Sequence, residues 1–204
     1  MSALFGPLDP ERRVPPHQQT RVAAFLISAH GALARQYAFT LPAKLDSAWQ
    51  TEMNAQVFRE TELVSLLLRA TSWVPDLAWG YMAASWEAAW FSAPVEEIQD
   101  PSLAMAAGLA TLAHAVHAGI RPAALLPVDA NPNDPFVMAL RRIEFESGRL
   151  LQAQILLLKS KNLAPFRDAV SATLESRHTG VGKLWNETLA SVGITTFPRN
   201  DGNS

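Results

Sequence analysis

The sequence contains no cysteine, and several other signals that would identify a protein class are also missing. Without cysteine the chain cannot form disulfides, thiolate nucleophiles, or cysteine-ligated zinc and iron–sulfur sites. The 17 Lys and Arg residues against 19 Asp and Glu residues give a net charge of −2, so there is no excess positive charge to bind a phosphate backbone. Neither a glycine-rich phosphate loop nor a Gly-x-Ser-x-Gly nucleophile elbow occurs. The sequence therefore predicts no nucleic-acid partner and no bound cofactor.

Signals for export and for membrane insertion are also absent. Residues 1–13 lack a cationic segment followed by an apolar core and a small-residue cleavage site, as a secretory signal would have. Residues 101–120 contain no Asp, Glu, Lys or Arg, but alanine is their commonest residue, and it gains little free energy on transfer into hydrocarbon. We expect a cytoplasmic protein without a membrane span, in which this stretch forms a helix packed closely inside a bundle.

The residues that are present have helical periodicity. Hydrophobic residues make up 49% of the chain, enough for a sizeable core, and no alternating strand pattern occurs. Asp-Pro pairs at 9–10, 100–101 and 134–135 predict helix starts, because Asp can cap the exposed amides and Pro has no amide to satisfy. The predicted helices cover residues 18–39, 46–70, 76–92, 101–118, 135–161, 165–178 and 183–192.

These helices define an all-α fold, a single-domain multi-helix bundle with Pro-containing connecting loops. The domain is expected to span residues 1–197, with a disordered tail at 198–204. Gly180 and Gly182 predict a break between the last two helices. The apolar run 155–158 favours a central position for the helix that contains it.

Metal-binding patterns are weak. Glu175 and His178 have the Glu-x-x-His spacing of a metal-binding helix, but a di-metal bundle needs that motif twice and no second copy exists. His114 and His117 could share a metal or relay a proton; helical geometry places them away from the apolar face, which favours contact with solvent or a neighbouring helix. Glu60, within an otherwise apolar helix, is interpreted as part of a solvated turn or helix break. The sequence thus predicts no metal site.

A stripe of tryptophans is the most prominent aromatic feature. Trp79, Trp86 and Trp90 stand at i, i+7 and i+11, on one face of the helix predicted at 76–92. Such a stripe can form core, the wall of a pocket or a partner surface, since a buried indole still needs a hydrogen-bond acceptor.

Two segments resemble the helical, non-stereospecific group I 2-haloacid dehalogenases. Residues 66–79, LLLRATSWVPDLAW, are similar to a segment in which Arg and Ala-Thr lead through a proline turn to Ala-Trp, and residues 128–133 look like the family's Asn-Pro loop before an apolar helix. The resemblance covers roughly residues 50–145. It implies a pocket between helices where Asn131 positions substrate or water. The family's water-activating aspartate lies in a second helical repeat that is not visible here, so no catalytic residue is assigned.

Two functions are predicted. The first is a small-molecule-binding or hydrolytic protein, if an enzyme a hydrolase of the haloacid dehalogenase type, that binds a small organic acid through Asn131, Trp79 and Trp86. The second is a non-enzymatic interaction or accessory protein that uses the tryptophan face, either in a homo-oligomer or with a protein partner. For Asn131 the alternative interpretation is an Asx turn that only shapes its loop.

Overall fold

The computed structural model describes residues 16–40, 44–71, 96–126, 130–191 and 193. These segments contain five α-helices: α1 Pro16–Thr40, α2 Ser47–Ala70, α3 Pro101–Gly119, α4 Pro135–Leu158 and α5 Arg167–Ser191. Short 3-10 helices, Pro122–Leu125 and Lys161–Phe166, precede α4 and α5. No strand occurs in these segments, and the predicted all-α helical bundle is confirmed.

Aspartate caps begin three of the helices, as the sequence predicts. Asp46 accepts a hydrogen bond from the amide of Trp49 at 2.9 Å at the start of α2. Asp100 and Asp134 each accept two amide hydrogen bonds at the starts of α3 and α4, where Pro occupies the first turn. The start predicted at 9–10, the helix predicted at 76–92 and the tail at 198–204 lie outside the described residues.

The most central helix of the described residues is α3, which contacts α1, α4 and α5. Its small side chains, mostly Ala, allow neighbouring backbones to approach closely, and nearly all of it from Ala104 onward is buried. This confirms the prediction of a closely packed alanine-rich helix. The expectation that His114 and His117 lie away from the core is wrong, because both are only 3% exposed. The expected contact with a neighbouring helix is found for His117, which bonds Ser147 of α4.

Two predictions about the C-terminal half are also wrong. α5 runs without a break through Gly180 and Gly182, and Gly182 is buried in a helix that packs against α3. Tertiary packing therefore overrides the low helix propensity of glycine. Residues 155–158 do not mark a central helix, since Leu156 is 73% exposed.

The remaining helix pair completes the core. α2 packs against α1 and α4, and its buried face is continuous with the apolar residues of α3. None of the helices in the described segments combines the length and the hydropathy needed to cross a membrane.

Gly148 in the middle of α4 offers a simple test of this packing. A Cβ added there would meet no atom within 4 Å. We expect Gly148→Ala to raise the free energy of unfolding by about 0.5–1 kcal/mol, because Ala loses less backbone entropy than Gly in a helix. The comparison is Gly119→Ala, whose Cβ would lie 3.2 Å from a methyl of Val181. Urea unfolding of both variants checks this; an equal gain for Gly119→Ala would contradict the described packing.

Candidate functional site

A carboxylate lies in the core between two imidazoles. Glu60 of α2 is fully buried, and His30 of α1 and His117 of α3 are 1% and 3% exposed. His30 Nδ1 is 2.7 Å from Glu60 Oε2, and His117 Nε2 is 2.6 Å from Glu60 Oε1. The imidazole centroids are 5.5 Å apart. Each carboxylate oxygen therefore has its own imidazole partner, and three helices supply the cluster.

Helical register places each of these side chains on a buried face. Glu60 follows Met53 by seven residues and precedes Leu67 by seven, so it lies on the same apolar stripe of α2. His30 stands four residues after Leu26 and three before Leu33 on the buried face of α1. The expectation that Glu60 marks a solvated turn or a break is therefore wrong. α2 is continuous at Glu60, and the stripe that contains Glu60 faces the core.

The two histidines determine the ionisation of Glu60. Burial alone would raise the pKa of this carboxyl, but the charges and hydrogen bonds of His117 and His30 outweigh that effect and lower the pKa to about 2. Glu60 is therefore a carboxylate at neutral pH. A buried negative charge of this kind is tolerated only where hydrogen-bond donors or cations compensate it.

His117 also connects the cluster to a hydroxyl. Its second ring nitrogen, Nδ1, is 3.0 Å from Ser147 Oγ on α4. A hydroxyl can donate or accept, so Ser147 fits either tautomer of the imidazole. Ser147 thus fixes the orientation of the ring without fixing which nitrogen carries the proton.

A layer of buried amide and phenol groups lies beside the carboxylate. Gln154 donates to Gln56 Oε1 at 3.2 Å, and Gln56 donates to Glu52 at 3.3 Å. Burial, and then the negative charge of Glu60, raise the pKa of Tyr37 well above its ordinary value. Tyr37 therefore remains a neutral phenol close to the carboxylate.

The donor atoms of the cluster suit a metal ion. His30, Glu60 and His117 each offer one ligand atom, and these atoms all lie within 4.8 Å of one another. Two imidazoles and one carboxylate form the protein ligand set of several catalytic zinc sites and of mononuclear non-haem iron sites. The hydrogen bond between His117 and Ser147 is the outer contact that metal-bound histidines usually make.

An adjacent cleft of about 710 Å³ lies between α3, α4 and α5. His117 and Ser147 form part of its wall, whereas His30 and Glu60 lie behind them. The other lining residues are His114, Ala118, Arg121, Glu144, Gly148, Leu151, Ser171, Leu174, Glu175 and His178. Burial, followed by the neighbouring His178 and His117, lowers the pKa of His114 to about 4.

The residues singled out from the sequence are dispersed. Trp79 and Trp86 lie outside the described residues, and Asn131 is exposed in the loop before α4. Asn131 Oδ1 accepts a hydrogen bond from the amide of Asn133 at 3.0 Å, the geometry of an Asx turn. Substrate binding by these three residues stays a prediction. Glu175 is exposed and His178 is half-buried in the cleft wall.

Sequence reasoning missed the cluster because its members are 30 and 57 residues apart. No local motif connects positions so distant. One signal was available: a charged residue in register with the apolar stripe of an amphipathic helix must either interrupt the stripe or be buried with partners.

Comparisons of the chain with family models, curated proteins and solved structures find no match.

Proposed function

We propose that this protein binds one divalent transition-metal ion through His30 Nδ1, Glu60 and His117 Nε2, at a buried site behind the cleft wall that His117 and Ser147 form. The observation that carries the proposal is the convergence of two imidazoles and a carboxylate from three helices in the core. Three protein ligands leave a coordination position for water or substrate. A metal-bound water would supply a nucleophile near neutral pH, in keeping with the hydrolytic function predicted from the sequence.

Charge supports an ion at this position. The pKa of Glu60 lies far below neutrality, and both partners of its carboxylate are imidazoles rather than permanent cations. A divalent cation would neutralise this buried charge while the imidazoles bind as neutral ligands. With no cysteine in the chain, zinc, iron(II), manganese and cobalt are among the ions that suit nitrogen and oxygen donors.

Binding requires a small rearrangement. Ligands about 2.1 Å from a tetrahedral ion lie roughly 3.4 Å from each other. The nitrogen to oxygen distances of 2.6 and 2.7 Å are those of direct hydrogen bonds, so the donors must separate by several tenths of an ångström. Rotation of the side chains about their terminal torsions accommodates a movement of this size.

Metal titration tests the proposal. Chelator-treated protein is titrated with zinc, manganese or, without oxygen, iron(II); we expect one ion per chain and an affinity at least 100-fold lower in Glu60→Gln and His117→Gln. The control is His114→Gln, since His114 lies three residues from His117 on α3 and is equally buried but makes no contact with Glu60 among the bonds described. The visible spectrum of the cobalt form reports the coordination number directly.

Two results would overturn the metal proposal. One is the absence of specific binding by folded wild-type protein. The other is an affinity in Glu60→Gln equal to that of wild type, with helix content by circular dichroism unchanged.

A second candidate function uses the same residues without a metal. Ser147, His117 and Glu60 form a chain of hydrogen bonds of 3.0 and 2.6 Å that ends at the cleft. The sequence serine, histidine, acid is that of serine hydrolases, but the two ring nitrogens are exchanged, since Nδ1 faces the serine here. Ser147 lies inside α4, where neighbouring backbone amides are already bonded within the helix and cannot form an oxyanion hole. Ser147→Ala separates the candidates: it abolishes covalent labelling by a fluorophosphonate if Ser147 is the nucleophile, and preserves metal stoichiometry if the ion is the functional group.

A further inference from the structure

We infer that the cleft between α3, α4 and α5 binds an uncharged, largely apolar small molecule whose polar group hydrogen-bonds to Ser147 and His114. The inference goes beyond the metal proposal, because the cleft exists without an ion and is separated from Glu60 by the His117 ring.

The size and lining of the cleft suit a small organic ligand. Its volume of about 710 Å³ lies within the range of small-molecule sites, roughly 300–1,000 Å³. Ala118, Leu151 and Leu174 contribute apolar surface from three different helices. A ligand would therefore contact apolar side chains on several sides at once.

An unsatisfied polar atom marks where the polar group of the ligand would lie. His114 lines the cleft, is 3% exposed, and its Nδ1 is buried without a hydrogen-bond partner among the described residues. A buried polar atom in that condition is costly, and rotation of the imidazole toward the cleft would bring it within reach of a ligand hydroxyl or amide. Ser147 on the opposite helix offers a second donor or acceptor.

The charges around the cleft disfavour an acid. Arg121, the only arginine or lysine among the described residues that line the cleft, already forms an ion pair with Glu144. Glu175 adds a second carboxylate to the wall. Burial lowers the pKa of His178, which favours the neutral form of this imidazole. An organic acid, the ligand class predicted from the sequence, would find no unpaired arginine or lysine among the described lining residues, whereas a neutral molecule needs none.

Three compounds with one ring system test the inference. Calorimetry on chelator-treated protein compares 2-naphthalenemethanol, 2-naphthoate and 2-naphthylmethylamine, which are neutral, negative and positive near neutral pH. We expect the alcohol to bind with a Kd of about 0.1–1 mM, and the acid at least 10-fold more weakly. Naphthoate binding as tightly as the alcohol would overturn the assignment of ligand class, as would tighter binding of the amine.

Variants of the cleft wall locate the binding. Gly148→Leu projects a side chain into open space at the cleft and should abolish binding of the alcohol, whereas Gly148→Ala should preserve it. His114→Phe keeps an aromatic ring, removes both ring nitrogens, and should weaken binding about 10-fold. Binding that survives Gly148→Leu would place the ligand elsewhere and refute the inference.

The metal proposal and the cleft proposal can be refuted independently of each other. Metal titration of Gly148→Leu should match that of wild type, and Glu60→Gln should still bind the alcohol. Loss of alcohol binding in folded Glu60→Gln would contradict a cleft that functions without the buried cluster.

Discussion

Glu60→Ala is expected to lower the free energy of unfolding of the metal-free protein by about 3–5 kcal/mol. The substitution leaves two buried imidazoles without their acceptor and opens a cavity at the junction of α1, α2 and α3. Both consequences destabilise: buried donors lose their hydrogen bonds, and the surrounding side chains collapse only partly into the space. Chemical denaturation followed by circular dichroism measures the loss.

The matched control is Glu62→Ala. Glu62 lies two residues further along α2 but is exposed, so its removal should change the free energy of unfolding by no more than about 0.5 kcal/mol. A loss below about 1 kcal/mol for Glu60→Ala would show that the carboxylate is not held in the core as described.

Acid should destabilise wild-type protein more than Glu60→Gln. The pKa of Glu60 is about 2 in the folded chain against an ordinary value of 4.5, so the carboxylate contributes stability that is fully present above about pH 4.5 and is lost as the pH falls toward 2. A shift of this size corresponds to roughly 3 kcal/mol. The glutamine variant has no titrating group at this position and lacks this loss.

Urea unfolding of the metal-free proteins at about pH 6 and about pH 2.5 measures the difference. The stability of wild type relative to Glu60→Gln should fall by about 2–3 kcal/mol between the two conditions. Glu62→Gln serves as the comparison and should follow wild type. Parallel pH dependences for wild type and Glu60→Gln would refute the depressed pKa of Glu60.

Much of the fold could be predicted from interactions between residues that are close in the sequence. The caps at Asp46, Asp100 and Asp134 were predictable because a capping side chain bonds amides within three residues of itself. The alanine-rich α3 was predictable as a packed helix because its composition suits close approach. The predicted break at Gly180 and Gly182 is wrong, because packing against α3 compensates for the weak helix propensity of glycine.

The candidate site was largely hidden from the sequence. His30 carries no local signal, and the helical face of His117 does not predict its position, because α3 packs against three other helices. Glu60 was interpreted by the general rule that charged residues lie outside the core. That rule fails where two other helices supply partners, and the sequence alone does not show how α1 and α3 approach α2.

The hydroxyl of Ser147 has a single proton, and its direction depends on His117. When His117 Nε2 carries the proton that Glu60 accepts, Nδ1 accepts from Ser147, and the serine presents only lone pairs to the cleft. When an ion occupies Nε2, Nδ1 carries the proton and donates to Ser147, whose own proton is then free to point toward a ligand. Binding of an ion in the core would thus change Ser147 from a hydrogen-bond acceptor to a hydrogen-bond donor toward the cleft, without moving a heavy atom there. Thermodynamic linkage is reciprocal. A cleft ligand that prefers one of these two states of Ser147 would change the affinity for the ion by the same factor by which the ion changes the affinity for the ligand.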